Sequence, residues 1–186
     1  MRTKRTRCRS RMRAAILLTA FLGLAACGGG LFESYRDQSV AISSQANFLP
    51  ERYLGTWHEV ARFPVPFERN CVGVTADYGQ NSDGTISVFN TCRNADGSVL
   101  STIKGKADIV GPGRLKVSFP SIPFVKSDYW VLWVDQDYRT AVVGAPDGQS
   151  GWILNRTPDI SADRLQAAKD ILRYNGYDLS RLEVLK

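Results

Sequence analysis

The side chains with the greatest reactive potential in this 186-residue sequence are four cysteines and a single histidine. Cys71 and Cys92 flank two β-rich runs joined by Asn81-Ser82-Asp83-Gly84, a strong signal for a tight turn between strands. Folding the chain about this turn places the two cysteines nearly opposite each other, within disulfide reach. In an oxidising compartment the pair predicts a disulfide. The alternative is two free thiols, one of which could be catalytic.

The histidine, His58, has no nucleophile beside it in the sequence. General acid–base or nucleophilic catalysis needs a second reactive group within hydrogen-bond reach. The sequence also contains no group of cysteine, histidine and carboxylate residues with the spacing of metal ligands. We therefore expect no metal, no cofactor and no enzymatic activity. A lipid-modifying enzyme that uses a free cysteine is one alternative, and an envelope interaction scaffold is another.

The basic charge of the protein is confined to its first residues. The formal net charge is +6, but residues 1–26 contain seven of the 24 Lys+Arg and none of the 18 Asp+Glu. The remaining 160 residues therefore carry 17 basic and 18 acidic side chains and are almost neutral. A nucleic-acid-binding domain would carry its charge on the folded surface, so we expect no nucleic-acid partner.

The first 26 residues have the layout of an export signal: a basic stretch followed by a short apolar run from Ala14 to Ala26. The run is well short of the roughly 20 residues that span a bilayer as a helix. Leu24-Ala25-Ala26-Cys27 resembles the bacterial lipobox, in which the cysteine receives acyl chains such as palmitate and becomes the first mature residue. We expect a signal peptide at 1–26, a lipidated Cys27 with a polar tether at 27–47, and attachment to the periplasmic side of the outer membrane. The alternative is an ordinary signal peptide with an incidental cysteine.

From residue 52 onward, short β-rich runs alternate with turn residues, and no helical pattern interrupts them. This spacing predicts an antiparallel sandwich or barrel of eight strands. A helix is then predicted to begin at Ser161 and end before Asn175-Gly176, and Leu182–Leu185 could add an edge strand. The predicted strands are Thr56–Phe63, Val72–Tyr78, Thr85–Asn90, Val99–Ala107, Arg114–Phe119, Tyr129–Asp135, Thr140–Gly144 and Gly151–Leu154.

Three motifs resemble the lipocalin family in order and spacing. Gly55-Thr56-Trp57 matches the Gly-x-Trp of the first lipocalin strand, Asp137-Tyr138 matches the second signature, and Arg156 matches the arginine after the last barrel strand. The similarity covers about residues 48–186 and is greatest to bacterial outer-membrane lipocalins, with apolipoprotein D as the similar animal type. The resemblance implies an all-β fold: an eight-stranded antiparallel up-and-down β-barrel with one C-terminal α-helix packed outside.

The resemblance also implies a structural role for Gly55, Trp57 and Arg156. A barrel that holds a ligand must be closed at one end. A tryptophan at the base with a guanidinium across its face closes it through apolar burial and a cation–π contact of about 0.5–2 kcal/mol. We therefore expect these residues to seal the barrel.

The opposite end should lead to an apolar cavity for a fatty acid or a lysophospholipid, bound for storage, transport or membrane repair. Resemblance to apolipoprotein D places Tyr78, Asn90 and Trp152 in its lining. Tyr129, Val131 and Trp133 are alternate residues of one predicted strand, and we expect them to share the face that points into the barrel. Bacterial relatives suggest that a homodimer can form. The complete predicted lining is Tyr78, Phe89, Asn90, Phe119, Tyr129, Val131, Trp133 and Trp152.

Overall fold

The computed structural model describes residues 33–121, 123 and 125–185. The predicted signal peptide and Cys27 lie outside the described residues. Two helices, α1 (Pro50–Tyr53) and α2 (Ala162–Tyr174), accompany the strands. The strands of the described part are β1 (Gly55–Arg62), β2 (Gly73–Gln80), β3 (Ile86–Arg93), β4 (Val99–Gly111), β5 (Arg114–Ser118), β6 (Lys126–Val134), β7 (Thr140–Gly144), β8 (Gly151–Asn155) and β9 (Glu183–Val184).

Strands β1 to β8 form a closed antiparallel barrel in which each strand pairs with its neighbour in sequence. The barrel closes because β1 pairs on one side with β8 and on the other with β2, where Gly55 lies opposite Tyr78. The short β9 pairs with the far half of β1, at Ala61 and Arg62. The predicted eight-stranded up-and-down barrel with one helix outside is confirmed.

The barrel has apolar side chains on both faces of several strands, and this places two hydrophobic clusters on opposite sides of the wall. The inner cluster lines the lumen and includes Trp57 and Val131. The outer cluster packs β6, β7 and β8 against α2, whose Ala168 and Leu172 are fully buried. All five residues of β7 are buried, because one face lines the lumen and the other lies beneath the helix.

The two ends of the barrel differ in their connections. The end at which β1 begins, here called the closed end, carries α1 and the tight turns at 81–85, 112–113 and 135–139. The end at which β1 finishes, here called the open end, carries the longer loops at 63–72, 119–125 and 145–150 and the β3–β4 turn at 94–98. Among the described residues, no helix is both long and apolar enough to span a bilayer.

The disulfide predicted from the hairpin is confirmed: Cys71 and Cys92 are bonded, and their Cα atoms are 5.2 Å apart. The bond joins the loop that precedes β2 to the end of β3, at the open end. Val74 completes a small buried cluster with the two cysteines. Closing a segment of 21 residues in the unfolded chain stabilises the folded state by about 3 kcal/mol.

The chain that precedes the barrel packs against its wall. Arg36 is 7% exposed, and its guanidinium donates hydrogen bonds to the carbonyl oxygens of Asn175 at 3.0 Å and Pro146 at 2.8 Å. The backbone N–H of Gln45 donates to the carbonyl of Val131 at 2.8 Å. Part of the segment assigned to a tether is therefore ordered against the fold, although it contributes no barrel strand.

Candidate functional site

The closed end is built around Trp57 and Arg156. The Trp57 side chain is fully buried, and the Arg156 guanidinium carbon lies 3.9 Å from the centroid of its ring. The same guanidinium donates hydrogen bonds to the carbonyls of Thr56 and Arg52, both at 2.9 Å, and of Tyr138 at 3.2 Å. All three guanidinium nitrogens of Arg156 therefore have a main-chain partner, and these bonds hold the guanidinium over the ring of Trp57.

Gly55 occupies a backbone position that a larger residue would strain. Its φ is +91°, in the left-handed region that glycine adopts without steric cost. A Cβ at this position would also lie 3.4 Å from Nη1 of Arg156. The glycine thus lets the chain turn into β1 directly beneath the guanidinium.

Above this floor, the hydroxyl groups of the buried Tyr53 and Tyr78 and of the partly buried Tyr129 lie within hydrogen-bond distance. The Tyr129 hydroxyl lies 2.8 Å from that of Tyr53 and 2.8 Å from that of Tyr78. Burial raises the pKa of all three phenols, so each remains protonated and neutral at physiological pH. Tyr78 and Tyr129, both predicted to line the pocket, therefore lie together in the lumen and hydrogen-bond to each other's hydroxyl groups.

Toward the open end, the lumen contains a buried charged cluster of Glu59, Arg62 and Glu68. Nη1 of Arg62 lies 3.7 Å from Oε2 of Glu59 and 3.8 Å from Oε2 of Glu68, and Nη2 donates to the carbonyl of Cys71 at 2.8 Å. The indole N–H of Trp152 donates to Oε2 of Glu68 at 3.3 Å. Trp152, a predicted pocket residue, thus connects the inner wall to the loop at 63–72.

Two buried carboxyl groups share this site with one buried guanidinium, whose Nε also lies 3.8 Å from Oε2 of the exposed Glu183. Burial raises the pKa of Glu59 well above its usual range, and the nearby charge of Glu68 adds to the effect. Burial also raises the pKa of Glu68, against the lowering effects of the Trp152 hydrogen bond and the Arg62 charge. The cluster therefore keeps a proton at a higher pH than exposed carboxyls would.

Three buried polar atoms of the lumen have no hydrogen-bond partner among the described residues: Oε2 of Glu59, Nη1 of Arg62 and Oδ1 of Asn90. Asn90 lies on the inner face of β3, opposite Ala76 and Ile103 in the sheet. Oδ1 of Asn90 is an acceptor and Nη1 of Arg62 is a donor, so a bound molecule with both kinds of group could satisfy these two atoms. Leaving such groups unpaired costs about 1–3 kcal/mol each.

Two more predicted lining residues lie on the inner face. Val131 is fully buried in the inner cluster. Phe119 packs against the same cluster, and a Cβ at Gly105 would lie 2.7 Å from its ring. Because Gly105 leaves room for the ring, Phe119 reaches across β4 toward the lumen.

Two predicted lining residues lie on the outer face. Phe89 pairs in register with Asp77 and Lys104, and the Lys104 ammonium lies 5.8 Å from its ring centroid. Trp133 packs against the outer cluster beneath α2. The register of β6 against β7 shifts between Val131 and Trp133, and this β-bulge reverses the alternation on which the prediction for Trp133 relied.

The sequence reasoning missed the charged cluster. Glu59 and Arg62 stand three residues apart in β1, and strict alternation would place them on opposite faces. A second β-bulge, between Glu59 and Ala61, brings both to the inner face. The sequence signal for this cluster was the presence of two charged residues within one predicted strand. Their partner Glu68 comes from a loop and could not be read from periodicity.

Two surface cavities lie near the open end of the barrel. One, of about 550 Å³, is lined by Lys106, Ser118, Phe119, Pro120, Pro123, Val125 and Lys126. The other, of about 270 Å³, is lined by Glu33, Tyr35, Arg62, Pro64, Val65, Pro66, Glu68, Arg69, Gln149 and Glu183. The first reaches the inner wall through Phe119 and the second reaches the charged cluster, so both connect the surface to residues of the lumen.

Comparison with known proteins gives relatives in bacteria and animals. A family profile described as a Lipocalin-like domain matches residues 50–186. The outer membrane lipoprotein Blc of Citrobacter freundii is 42% identical over 139 residues, which cover 73% of this chain and 77% of the relative. Apolipoprotein D of Mus musculus is 30% identical over 170 residues, which cover 82% of this chain and 87% of the relative.

A solved structure supports the same architecture. Insecticyanin from the tobacco hornworm Manduca sexta superposes with a TM-score of 0.64 at 19% sequence identity. The superposition covers 83% of this chain and 87% of insecticyanin. At that identity the similarity establishes the fold alone.

Proposed function

This chain belongs to the lipocalin family, and from that premise we propose that its barrel binds one lipid with a single acyl chain, a fatty acid or a lysophospholipid. The observation that carries the proposal is the division of the inner face. Aliphatic and aromatic side chains line the lumen, and Arg62, Asn90 and Trp152 add polar atoms to it toward the open end. Each buried CH₂ of an acyl chain contributes about 0.8 kcal/mol to binding.

The unpartnered atoms support a ligand with a polar head. Nη1 of Arg62 can donate to a carboxylate or phosphate oxygen, and Oδ1 of Asn90 can accept from a hydroxyl of the head group. Glu68 stands beside Arg62 and belongs to the loop at 63–72. An anionic head would compete with Glu68 for the guanidinium, so we propose that this loop moves when ligand enters.

The seal at the other end is part of the same proposal. Trp57 and Arg156, with Gly55 beneath the guanidinium, close the floor of the lumen. The hydrogen bonds from Arg156 go to three separate main-chain carbonyls, which ties α1 and the β6–β7 turn to the start of β1. We assign these residues to stability rather than to ligand contact.

We further propose that Cys27 is acylated and holds the protein on the periplasmic side of the outer membrane, where it stores, transports or returns acyl lipids. The relatives from Citrobacter freundii and Escherichia coli are named outer membrane lipoproteins, which supports this location. A homodimer stays a prediction, and light scattering of the acyl-free protein would test it.

The disulfide bears on the enzymatic alternative. A lipid-modifying enzyme of the predicted kind needs a free thiolate, and the sulfur atoms of Cys71 and Cys92 are bonded to each other. A binding role requires no such nucleophile. The observed disulfide therefore favours a binding protein over a cysteine enzyme.

Equilibrium titration of the folded, delipidated protein with a fluorescent octadecanoic acid analogue and with lysophosphatidylethanolamine tests the proposal. We expect saturable binding of one lipid per barrel at micromolar concentrations or below, and displacement by unlabelled fatty acid. An absence of saturable binding at micromolar lipid would overturn it. Native mass spectrometry of protein purified from its own envelope would then identify the resident lipid.

A further inference from the structure

Large apolar side chains are exposed on the loops and strand ends that surround the open end. We call them the apolar rim, and they come from three separate connections: the loop at 63–72, the start of β4 and the loop at 119–125. Phe67 is the most exposed of them, at 72%. The apolar rim consists of Phe67, Val72, Val99, Leu100 and Val125. Exposed apolar residues gathered around one end of a barrel favour contact with proteins or membranes.

The described chain begins at the same end of the barrel. Oε1 of Glu33 pairs with Arg181 at 2.9 Å, and the backbone N–H of Tyr35 donates to the carbonyl of Gly148 at 2.7 Å. The Tyr35 hydroxyl donates to the carbonyl of Pro64 at 2.6 Å. Both Gly148 and Pro64 belong to loops at the open end.

The remaining chain length limits how far this end can lie from an anchor at Cys27. Six peptide units separate Cys27 from Glu33, and at full extension they span at most about 22 Å. An acylated Cys27 would therefore hold the open end close to the lipid surface. This step rests on the proposed acylation.

We propose that the apolar rim inserts into the lipid surface that carries the anchor, so that the lumen opens directly onto the membrane. Apolar and aromatic side chains gain free energy when they enter the boundary between head groups and acyl chains. A single anchored chain keeps the rim at high local concentration, so that a few inserted side chains suffice. An acyl lipid could then pass between bilayer and barrel with little exposure of its chain to water.

The opposite end supplies a matched control. Val110, near the closed end, is 56% exposed, and Val99, in the apolar rim, is 57% exposed. Both residues lie on β4, eleven positions apart, which is about 36 Å at the usual rise of a strand. The two sites share residue type, strand and exposure, and they differ in their distance from the start of the described chain.

The experiment uses the processed, acylated protein reconstituted into vesicles of phosphatidylethanolamine and phosphatidylglycerol. Val99→Cys and Val110→Cys each receive a polarity-sensitive thiol dye, and the wild-type chain gives the background labelling. We expect a blue-shifted emission at position 99 that brominated lipids quench at least threefold more than the emission at position 110. Leu100→Cys and Ile109→Cys form a second pair, because these residues are 46% and 42% exposed near the two ends of β4.

Equal responses at the two ends, or a stronger response at position 110, would overturn the proposal. A blue shift at position 99 that occurs without vesicles and grows with protein concentration would show that a second copy covers the rim, and it would overturn the proposal as well. Lipid titration without vesicles separates this inference from the proposed function. Loss of ligand binding with an inserted rim refutes the ligand proposal alone, and ligand binding without insertion refutes the rim proposal alone.

Discussion

Each end of the barrel has one arginine close to a tryptophan: Arg156 and Trp57 at the closed end, Arg62 and Trp152 at the open end. The two arginines differ in how completely their hydrogen-bonding groups are satisfied. At the closed end every nitrogen of Arg156 has a main-chain partner, and the guanidinium stacks on Trp57. At the open end Arg62 has one main-chain partner, and its Nη1 has only carboxylates at 3.7 and 3.8 Å. A satisfied arginine stabilises the structure, whereas an incompletely satisfied one can still bind a further group.

The largest effect should come from the disulfide, which holds the open end together. Reduction of Cys71–Cys92 should lower the free energy of unfolding by about 3 kcal/mol, because the unfolded chain regains its conformational freedom. Urea titrations with and without reductant measure this loss. The Cys71→Ser/Cys92→Ser double variant should be destabilised similarly and should not respond to reductant. A reductant effect in that variant would show that another process is responsible.

The next effect concerns the closed end. Arg156→Ala removes three hydrogen bonds and the cation–π contact, and it should lower the free energy of unfolding by about 2 kcal/mol and Tm by several degrees. The affinity for fatty acid should change less than threefold. Calorimetry and ligand titration measure the two quantities. Arg139→Ala removes an exposed arginine from a closed-end turn and is the control. A larger change in affinity than in stability would contradict the structural role of Arg156.

A third prediction compares the effect on fatty acid affinity of removing a tryptophan from the inner face and from the outer face of the barrel. Trp152→Ala should weaken fatty acid binding about tenfold, a loss of about 1.4 kcal/mol, because it removes apolar area from the upper lumen. Trp133→Ala should leave affinity within about twofold, because Trp133 packs beneath α2. Fluorescence titration at equal degrees of folding measures both variants. Equal losses of affinity would mean that the lumen is not the binding site.

The smallest effect is a dependence on pH at the open end. The folded-state pKa of Glu59 is raised, so between the ordinary pKa of a glutamate and this raised value the native state binds more protons than the unfolded state. Stability should therefore fall as pH rises through this window. Glu59→Gln should lose less stability between pH 5 and 8 than the wild type. Glu51→Gln, at an exposed site on α1, is the control and should follow the wild type.

Much of the fold could be predicted because its strands carry a regular apolar pattern. The prediction of Thr140–Gly144 matches β7 residue for residue. The prediction for β4 stopped at Ala107, whereas the strand runs to Gly111. Its last residues include Asp108 and the exposed Val110, so they do not show the alternation of a half-buried strand. The extra length is set by pairing with β5, which a single-strand pattern does not reveal.

The site was less predictable because it depends on irregularities of the backbone. Tyr78, Tyr129 and Val131 follow simple alternation and lie inside. A one-residue bulge places Trp133 outside, and another brings Glu59 and Arg62 together inside. Bulges leave little trace in sequence, because the residues that flank them are ordinary strand residues. Strand alternation therefore predicts the correct face for each side chain up to the first bulge and the opposite face beyond it.

The hydrogen bonds that hold Arg36 against the barrel affect how the domain responds to a pull on its amino-terminal segment. Its guanidinium bridges the carbonyls of Pro146, after β7, and Asn175, at the end of α2. Tension applied from the amino-terminal side of the domain is therefore delivered to the end of α2 and to the loop after β7. The hydrogen bond from the Tyr35 hydroxyl to the carbonyl of Pro64 delivers part of the force to the loop at 63–72. A pull of this kind would tilt the barrel as a rigid body about residues 33–36 while the strands around the entrance keep their pairing.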